Sequence, residues 1–277
     1  MKRQKLAWAI ILPLMGMGIP AFAQANPLVE CVQGLMALGI AAEPALEACR
    51  EQLGSPNKPT EDPQQTATVG EFSDIAGVFG EAEIRQLTQL GIIEADSEQF
   101  RPEDPIQRGQ FVIWLVRAFN TYYPDRAMRF GATPNFSDTT ADAPYSRYLG
   151  AAQDAGFVVG FTDGTFRPEE ILTREQMIAI KSRVDSDHRD NRDASALRRA
   201  LQNQFDDVDQ FDDQFLPFIA HDHLGAAGQR NFERLYGTTR SYRPKQAVTR
   251  AEAAVLLSRF DRGSRVTAAQ ALQRKAN

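Results

Sequence analysis

Cysteine is nearly missing from this sequence: only Cys31 and Cys49 occur in 277 residues. That excludes a scaffold stapled by several disulfides and a thiolate metal cluster. Histidine is as scarce, at three. His221-Asp-His223 offers two metal ligands, but no third stands at a motif spacing, so no metal site is expected. No nucleophile elbow, glycine-rich phosphate loop or zinc-protease helix is present. Paired carboxylates such as Asp206-Asp207 and Asp212-Asp213 read as solvated. Neither catalysis nor a cofactor is expected. A basic excess is missing too: 31 Lys and Arg face 36 Asp and Glu, for a net charge of −5. This gives no support to nucleic-acid binding.

Long apolar runs are absent except for one at the start. Lys2, Arg3 and Lys5 precede the apolar run 6–19, and Ala21-Phe22-Ala23 follows it. That order predicts a secretory signal peptide over residues 1–23. The run is short for a membrane span, so removal is expected rather than anchoring, with no transmembrane segment in the mature chain. Its loss would leave 28 basic against 36 acidic residues, a net charge of −8. In an exported protein, Cys31 and Cys49 are expected to pair. They would clamp a helical hairpin over 24–53, where Val32, Leu35, Met36 and Gly39 share one face and Glu43-Pro44 starts a second helix. Residues 26–53 are also the stretch expected to meet another envelope protein. Pro56, Pro59 and Pro63 mark residues 54–71 as an extended linker.

Beyond the linker the chain repeats itself. Phe100-Arg101-Pro102, Phe166-Arg167-Pro168 and Tyr242-Arg243-Pro244 are each followed, seven residues after the first Arg, by a second: Arg108, Arg174 and Arg250. Each copy opens with aromatic-x-Asp, at Phe72-Ser-Asp74, Phe136-Ser-Asp138 and Phe205-Asp-Asp207. The pitch is 66 residues between the first two arginines and 76 between the next two, with the extra length around 229–239. A fixed internal order of this kind decides architecture.

Within a copy, a short helix comes first. Its face is Ile84, Leu87 and Leu90 in copy one, and Tyr145, Tyr148, Leu149 and Ala152 in copy two. Gly91 and Gly156 then suit left-handed C-caps. The second helix opens on a capping box, Thr173-x-x-Gln176 or Thr249-x-x-Glu252, whereas Gln107-x-x-Gln110 lacks a good N-cap residue. An apolar stripe follows, such as Phe111, Trp114, Leu115, Ala118 and Phe119, predicting one buried face. The predicted fold is therefore mainly α, with helix–loop–helix copies over 72–125, 130–190 and 200–262. The tail, 263–277, is expected to extend the last helix or fray. Residues 185–193 faintly follow a calcium loop but lack its glycine and closing glutamate, and read as solvated linker. A short amphipathic helix is expected within 194–204.

The second arginine sits at the first helical position, where a cation opposes the helix dipole. One reading has it hold an anionic ligand together with free N-terminal amides. The other has it pair with an acid inside the fold.

These copies resemble S-layer homology domains. The second carries most of the family pattern: Phe136, Asp138, Gly156, Gly160, Asp163-Gly164, Phe166, Pro168 and Thr173-Arg174. The third keeps Thr249-Arg-Ala-Glu252, and the first departs at Gln107 and at Glu94-Ala95. The resemblance implies a pseudo-threefold assembly of three repeats. It also implies grooves that bind cell-wall polysaccharide or peptidoglycan-linked glycan, often bearing a pyruvyl ketal. Arg108, Arg174 and Arg250 would serve that glycan, and Gly91 and Gly156 would let it approach the backbone. A non-catalytic, exported cell-envelope protein is implied. The rival is an adaptor for other proteins whose repeats have lost glycan binding.

Overall fold

A computed structural model describes residues 71–186, 188–225 and 230–277. All lie within the compact unit Pro59–Asn277. The expected signal peptide, the hairpin with Cys31 and Cys49, and all but residue 71 of the linker lie outside the described residues.

The helices are α1 (Glu81–Gln89), α2 (Arg108–Tyr122), α3 (Ser146–Asp154), α4 (Arg174–Asp185), α5 (Ala194–Leu201), α6 (Leu216–Leu224), α7 (Asn231–Tyr236), α8 (Arg250–Leu257) and α9 (Ala268–Ala276). The first helices of the three copies are α1, α3 and α6, and the second helices are α2, α4 and α8. Their ends follow the sequence cues. After α1 the Gly91 amide donates to Thr88 O and the Ile92 amide to Leu87 O, both at 2.9 Å. After α3, Gly156 and Phe157 repeat this with Gln153 and Ala152. Both glycines are left-handed, at φ 71° and 73°, which completes the Schellman geometry. At α8 the Thr249 amide donates to Glu252 Oε2 at 2.9 Å and the Glu252 amide to Thr249 Oγ1 at 3.2 Å. Gln107 makes no side-chain cap, as its chemistry predicted.

The copies are interlocked in cyclic order. The second helix of each packs on the first helix of the next: α2 on α3, α4 on α6, and α8 back on α1. The strand-like segments before the second helices close the same cycle. The Ile106 amide donates to Val248 O, Val248 to Leu172 O, and Leu172 to Ile106 O, each at 2.9 Å. Phe119 lies against Phe157 of copy two and Phe260 of copy three, with ring centroids 5.0 and 6.1 Å apart. Burial on α2 and α4 is correspondingly wider than one stripe. Val112, Ile113, Val116 and Arg117 are buried beside the predicted positions, and α4 is buried continuously from Arg174 to Ser182. A helix enclosed by neighbours of two copies has no solvent side over those turns.

Three departures from the sequence reading have physical causes. The tail neither frays nor extends α8. Arg259–Phe260 pairs antiparallel with Val266–Thr267, and α9 follows on its own Thr267–Gln270 capping box. Its Ala268 and Ala271 are buried as α9 packs on α1 and α2. The extra length of copy three holds a whole helix, α7. It is fixed by Asp222, which accepts from the Asn231 side chain at 2.7 Å and from the Asn231 amide at 3.1 Å. Asp185, first residue of the calcium-like stretch, is buried. It pairs with Lys181 and accepts from Asn231 Nδ2 at 3.1 Å and from the Asp261 amide at 3.0 Å. It is committed to joining α4, α7 and the tail. The helix expected within 194–204 forms as α5, capped by Asp193.

Candidate functional site

Each aromatic-Arg-Pro turn is held by the aspartate of its own aromatic-x-Asp opening. Asp74 accepts from the Phe100 and Arg101 amides at 2.8 and 2.7 Å. Asp138 accepts from Phe166 and Arg167 at 2.8 and 2.6 Å, and Asp207 from Tyr242 and Arg243 at 3.0 and 2.7 Å. Arg101, Arg167 and Arg243 are left-handed, at φ 57°, 58° and 55°. Non-glycine residues adopt this conformation only at a cost, and two charge-assisted bonds to one carboxylate offset it. In copy two this amide-bonding lies beside Asp163, which Thr165 and Arg167 hold at a pKa of about 2.

The turn then caps the second helix of its neighbour. Arg108 and Gly109 amides donate to Glu170 and Pro168 O at 2.9 and 2.8 Å. Arg174 and Glu175 amides donate to Gln246 and Pro244 O at 3.0 and 3.1 Å, and Arg250 and Ala251 amides to Asp104 and Pro102 O at 2.9 and 3.0 Å. The first two amides of every second helix are thus occupied. This corrects the reading in which free N-terminal amides join the arginine in holding an anion, because neighbouring carbonyls already satisfy those orphan donors.

The three arginines reach across the same junctions. Arg108 Nε donates to Phe166 O at 2.9 Å, Arg174 Nη1 to Tyr242 O at 3.3 Å, and Arg250 Nε to Phe100 O at 2.8 Å. None takes Asp138 or its equivalents as a side-chain partner; the acceptors are backbone oxygens of the next aromatic. Their surroundings differ, however. Arg108 is 3 % exposed and stacked against Phe161 and Phe166, with its guanidinium 4.9 and 4.5 Å from the ring centres. Burial pushes its pKa down to about 10. Arg174 is 8 % exposed, lies 3.8 Å over the Tyr236 ring and comes within 3.6 Å of Glu252. Arg250 rests on Phe100 and Trp114 but is only half-buried.

Arg250 borders an open groove of about 650 Å³ formed by all three copies. Glu94, Asp96, Gln99 and Arg101 come from copy one, Ile171 from copy two and Arg250 from copy three. Asp96 occupies the place before the turn where copy two has Phe161, so the rings against this guanidinium are Phe100 and Trp114. Burial lowers the Arg250 pKa, opposed by the charges of Asp104, Glu94 and Asp96. The groove therefore combines carboxylate and amide acceptors, two guanidinium donors and an apolar wall. Gly91 and Gly156 do not line it; both are helix ends.

His221 and His223 do not converge on a metal, and no cluster of three or more metal-ligating side chains occurs among the described residues. Asp222 between them is turned into the core, and His223 lies 4.6 Å from the Phe205 ring centre. No helix among the described residues is long and apolar enough to cross a membrane.

Residues 71–112 and 135–178, in copies one and two of the cyclic helical unit, match the S-layer homology domain. Its relatives include exoglucanase XynX of Acetivibrio thermocellus, 30% identical over 119 residues, which is 42% of this chain and 11% of that protein. An amylopullulanase of Thermoanaerobacterium thermosulfurigenes is 33% identical over 113 residues, 40% of this chain and 6% of that protein. An endoglucanase of Bacillus sp. (strain KSM-635) is 31% identical over 102 residues, 36% of this chain and 10% of that protein. The match spans about a tenth or less of each relative's length.

Proposed function

We propose that this protein is a non-catalytic cell-envelope attachment module. Residues 200–262 act as a third S-layer homology repeat, the three repeats form a pseudo-threefold assembly, and the Arg250 groove takes cell-wall polysaccharide. The observation that carries the reading is that groove, open to solvent, built by three copies and furnished with paired acceptors and donors. Sugar hydroxyls both give and accept hydrogen bonds, so Asp96 and Gln99 suit their hydrogens, Glu94 being engaged by Arg117 and Trp114, while Arg101 and Arg250 suit ring or carboxylate oxygens. A pyruvyl carboxylate fits beside Arg250 as a charge-assisted acceptor. Arg108 and Arg174, with the helix-ending Gly91 and Gly156, serve the groove by holding its walls. Export through residues 1–23 and a Cys31–Cys49 bond complete the reading.

The test is a pull-down on purified wall, with and without ketal groups. Arg250→Ala should lower binding about ten- to a hundredfold, the loss of one charge-assisted bond of about 1.5–3 kcal/mol. Unchanged wall binding by a folded Arg250→Ala protein would remove the groove from the proposal. The second reading, a protein-binding adaptor, is favoured by the enclosure of Arg108 and Arg174, which leaves two of the three junctions without an accessible guanidinium. It predicts no retention on any wall preparation.

A further inference from the structure

The inserted helix of copy three brings together four buried polar side chains that neither the turns nor the groove uses. Lys181 and Asp185 lie one turn apart on α4, Asp222 lies on α6, and Asn231 is the first residue of α7. All four are at most 3 % exposed. Lys181 Nζ is hydrogen-bonded to Asp185 Oδ2, and Asn231 Nδ2 donates to that same oxygen at 3.1 Å. The amine and the carboxamide are therefore neighbours across one atom. Asn231 Nδ2 also donates to Asp222 Oδ1 at 2.7 Å, while Asn231 Oδ1 is buried with no hydrogen-bond partner among the described residues.

A buried ion pair joins helices well only when every polar atom around it is satisfied. Here Asn231 Oδ1 is not, and neither is Nη1 of Arg234, three residues along α7. The cluster has instead the parts of a reaction. Lys181 Nζ lies 4.5 Å from the centre of the Phe260 ring. Burial pushes its pKa down against the pull of Asp185, and the Arg234 charge adds to the lowering. A desolvated lysine of this kind is a nucleophile as its neutral amine. Asp185 is a base already in contact with that amine. Burial holds the Asp222 carboxyl up at about 6, which leaves an acid against the Asn231 nitrogen. The Arg234 charge acts on both aspartates, and it is the cation at hand for an amide oxygen turning negative.

From this geometry we propose that Lys181 and Asn231 join autocatalytically in an isopeptide bond, which ties α4 of copy two to α7 of copy three. With Lys181 as the neutral amine, its Nζ lone pair attacks Asn231 Cγ, and Asp185 takes a proton from Nζ. The tetrahedral carbon no longer shares the Nδ2 lone pair. Nδ2 therefore accepts the Asp222 proton and leaves as ammonia. The Nζ–Cγ bond forms and the Cγ–Nδ2 bond breaks. Amine and amide become amide and ammonia, one proton passes to Asp185 as another leaves Asp222, and nothing is oxidised or reduced. The bond closes a loop of 50 residues (231 − 181) that persists when the fold is lost. It is independent of wall binding, and each stands or falls apart from the other.

The experiment is mass spectrometry of the full chain with its cysteines reduced, intact and after trypsin. The intact mass should be one ammonia below that of the unbonded chain, and the digest should contain a branched peptide joining Lys181 to Asn231. Lys181→Arg and Asn231→Ala should each restore the ammonia and abolish the branch. Asp222→Asn should slow bonding at least about a hundredfold, so that freshly purified protein still holds the unbonded mass. An unbranched Lys181 peptide from the folded parent would overturn the bond, whether or not the variants fold. So would an ammonia loss that persists in Lys181→Arg, which places it elsewhere in the chain, or a branch from Lys181 to Asp185 with loss of water. Complete bonding in fresh Asp222→Asn protein would overturn the part given to the acid.

Discussion

Replacing Arg174 with alanine should destabilise the fold rather than relieve it. From sequence, this arginine opposes the helix dipole, and its removal would gain up to about 1 kcal/mol. The structure gives it three interactions on the other side of that balance. Its Nη1 bond to Tyr242 O, at 3.3 Å, is worth about 1.5 kcal/mol as a long charge-assisted contact. Stacking at 3.8 Å over Tyr236, in a site only 8 % exposed, adds about 2 kcal/mol. The approach to Glu252, at 3.6 Å, adds less than about 1 kcal/mol, because Glu252 keeps its capping bond to Thr249 when the arginine is gone. The net loss is about 3 kcal/mol. For a unit of roughly 200 residues that lowers Tm by about 6–12 °C. Arg174→Lys should recover only part, since an ammonium cannot lie flat on the ring and reach the carbonyl together. Circular dichroism melts of the two variants at one pH make the test. A Tm within about 1 °C of the parent, or above it, would refute the assignment of Arg174 as the link between α4 and the third copy.

Asp138→Ala should cost about 2–4 kcal/mol in urea unfolding, since it frees the Phe166 and Arg167 amides while Arg167 stays at φ 58°; a loss below about 0.5 kcal/mol would mean that the turn holds itself. Burial raises the folded pKa of Asp222 from 3.8 to about 6, so the folded protein keeps a proton that the unfolded chain has already lost between those values. Stability from this group is present below about pH 4 and is lost as pH rises through about 6, by about 3 kcal/mol. Asp222→Asn should therefore close its gap to the parent, or overtake it, as pH rises from about 4 to 7, and a gap independent of pH in that window would contradict the shift. Cys31 and Cys49 should be paired, closing a loop of 18 residues worth about 3 kcal/mol to their hairpin; two alkylated thiols by intact mass without reduction would sink the pairing.

Much of the repeat unit was legible because local chemistry sets it. Gly91 and Gly156 announce helix ends, Thr249 and Glu252 announce a start, and the aromatic-Arg-Pro turns recur with Arg108, Arg174 and Arg250 at one offset. What was not legible lies at longer range along the chain. Asp74 and Phe100 are 26 residues apart, Asp138 and Phe166 are 28, and Asp207 and Tyr242 are 35, so the clamp has no constant spacing to betray it. The α9 helix did leave a signal, Thr267-x-x-Gln270, which the polar composition of the tail obscured. Helix α7 left less, because an inserted segment has no counterpart in the other copies to be compared with.

The arginines show why the repeat pattern alone could not name the binding residues. One sequence position recurs three times, and in each copy its side chain bonds to the carbonyl of the next aromatic. That common duty is enough to account for its recurrence. Accessibility is decided instead by residues outside the recurring pattern: Phe161 covers Arg108, Tyr236 covers Arg174, and Asp96 leaves Arg250 open. Copy one, with Glu94 and Asp96 where the second has Val159 and Phe161, supplies most of the lining of the open groove. Degeneracy in a repeat here puts carboxylates where copy two has Val159 and Phe161, while Phe100 and Trp114 still back the guanidinium.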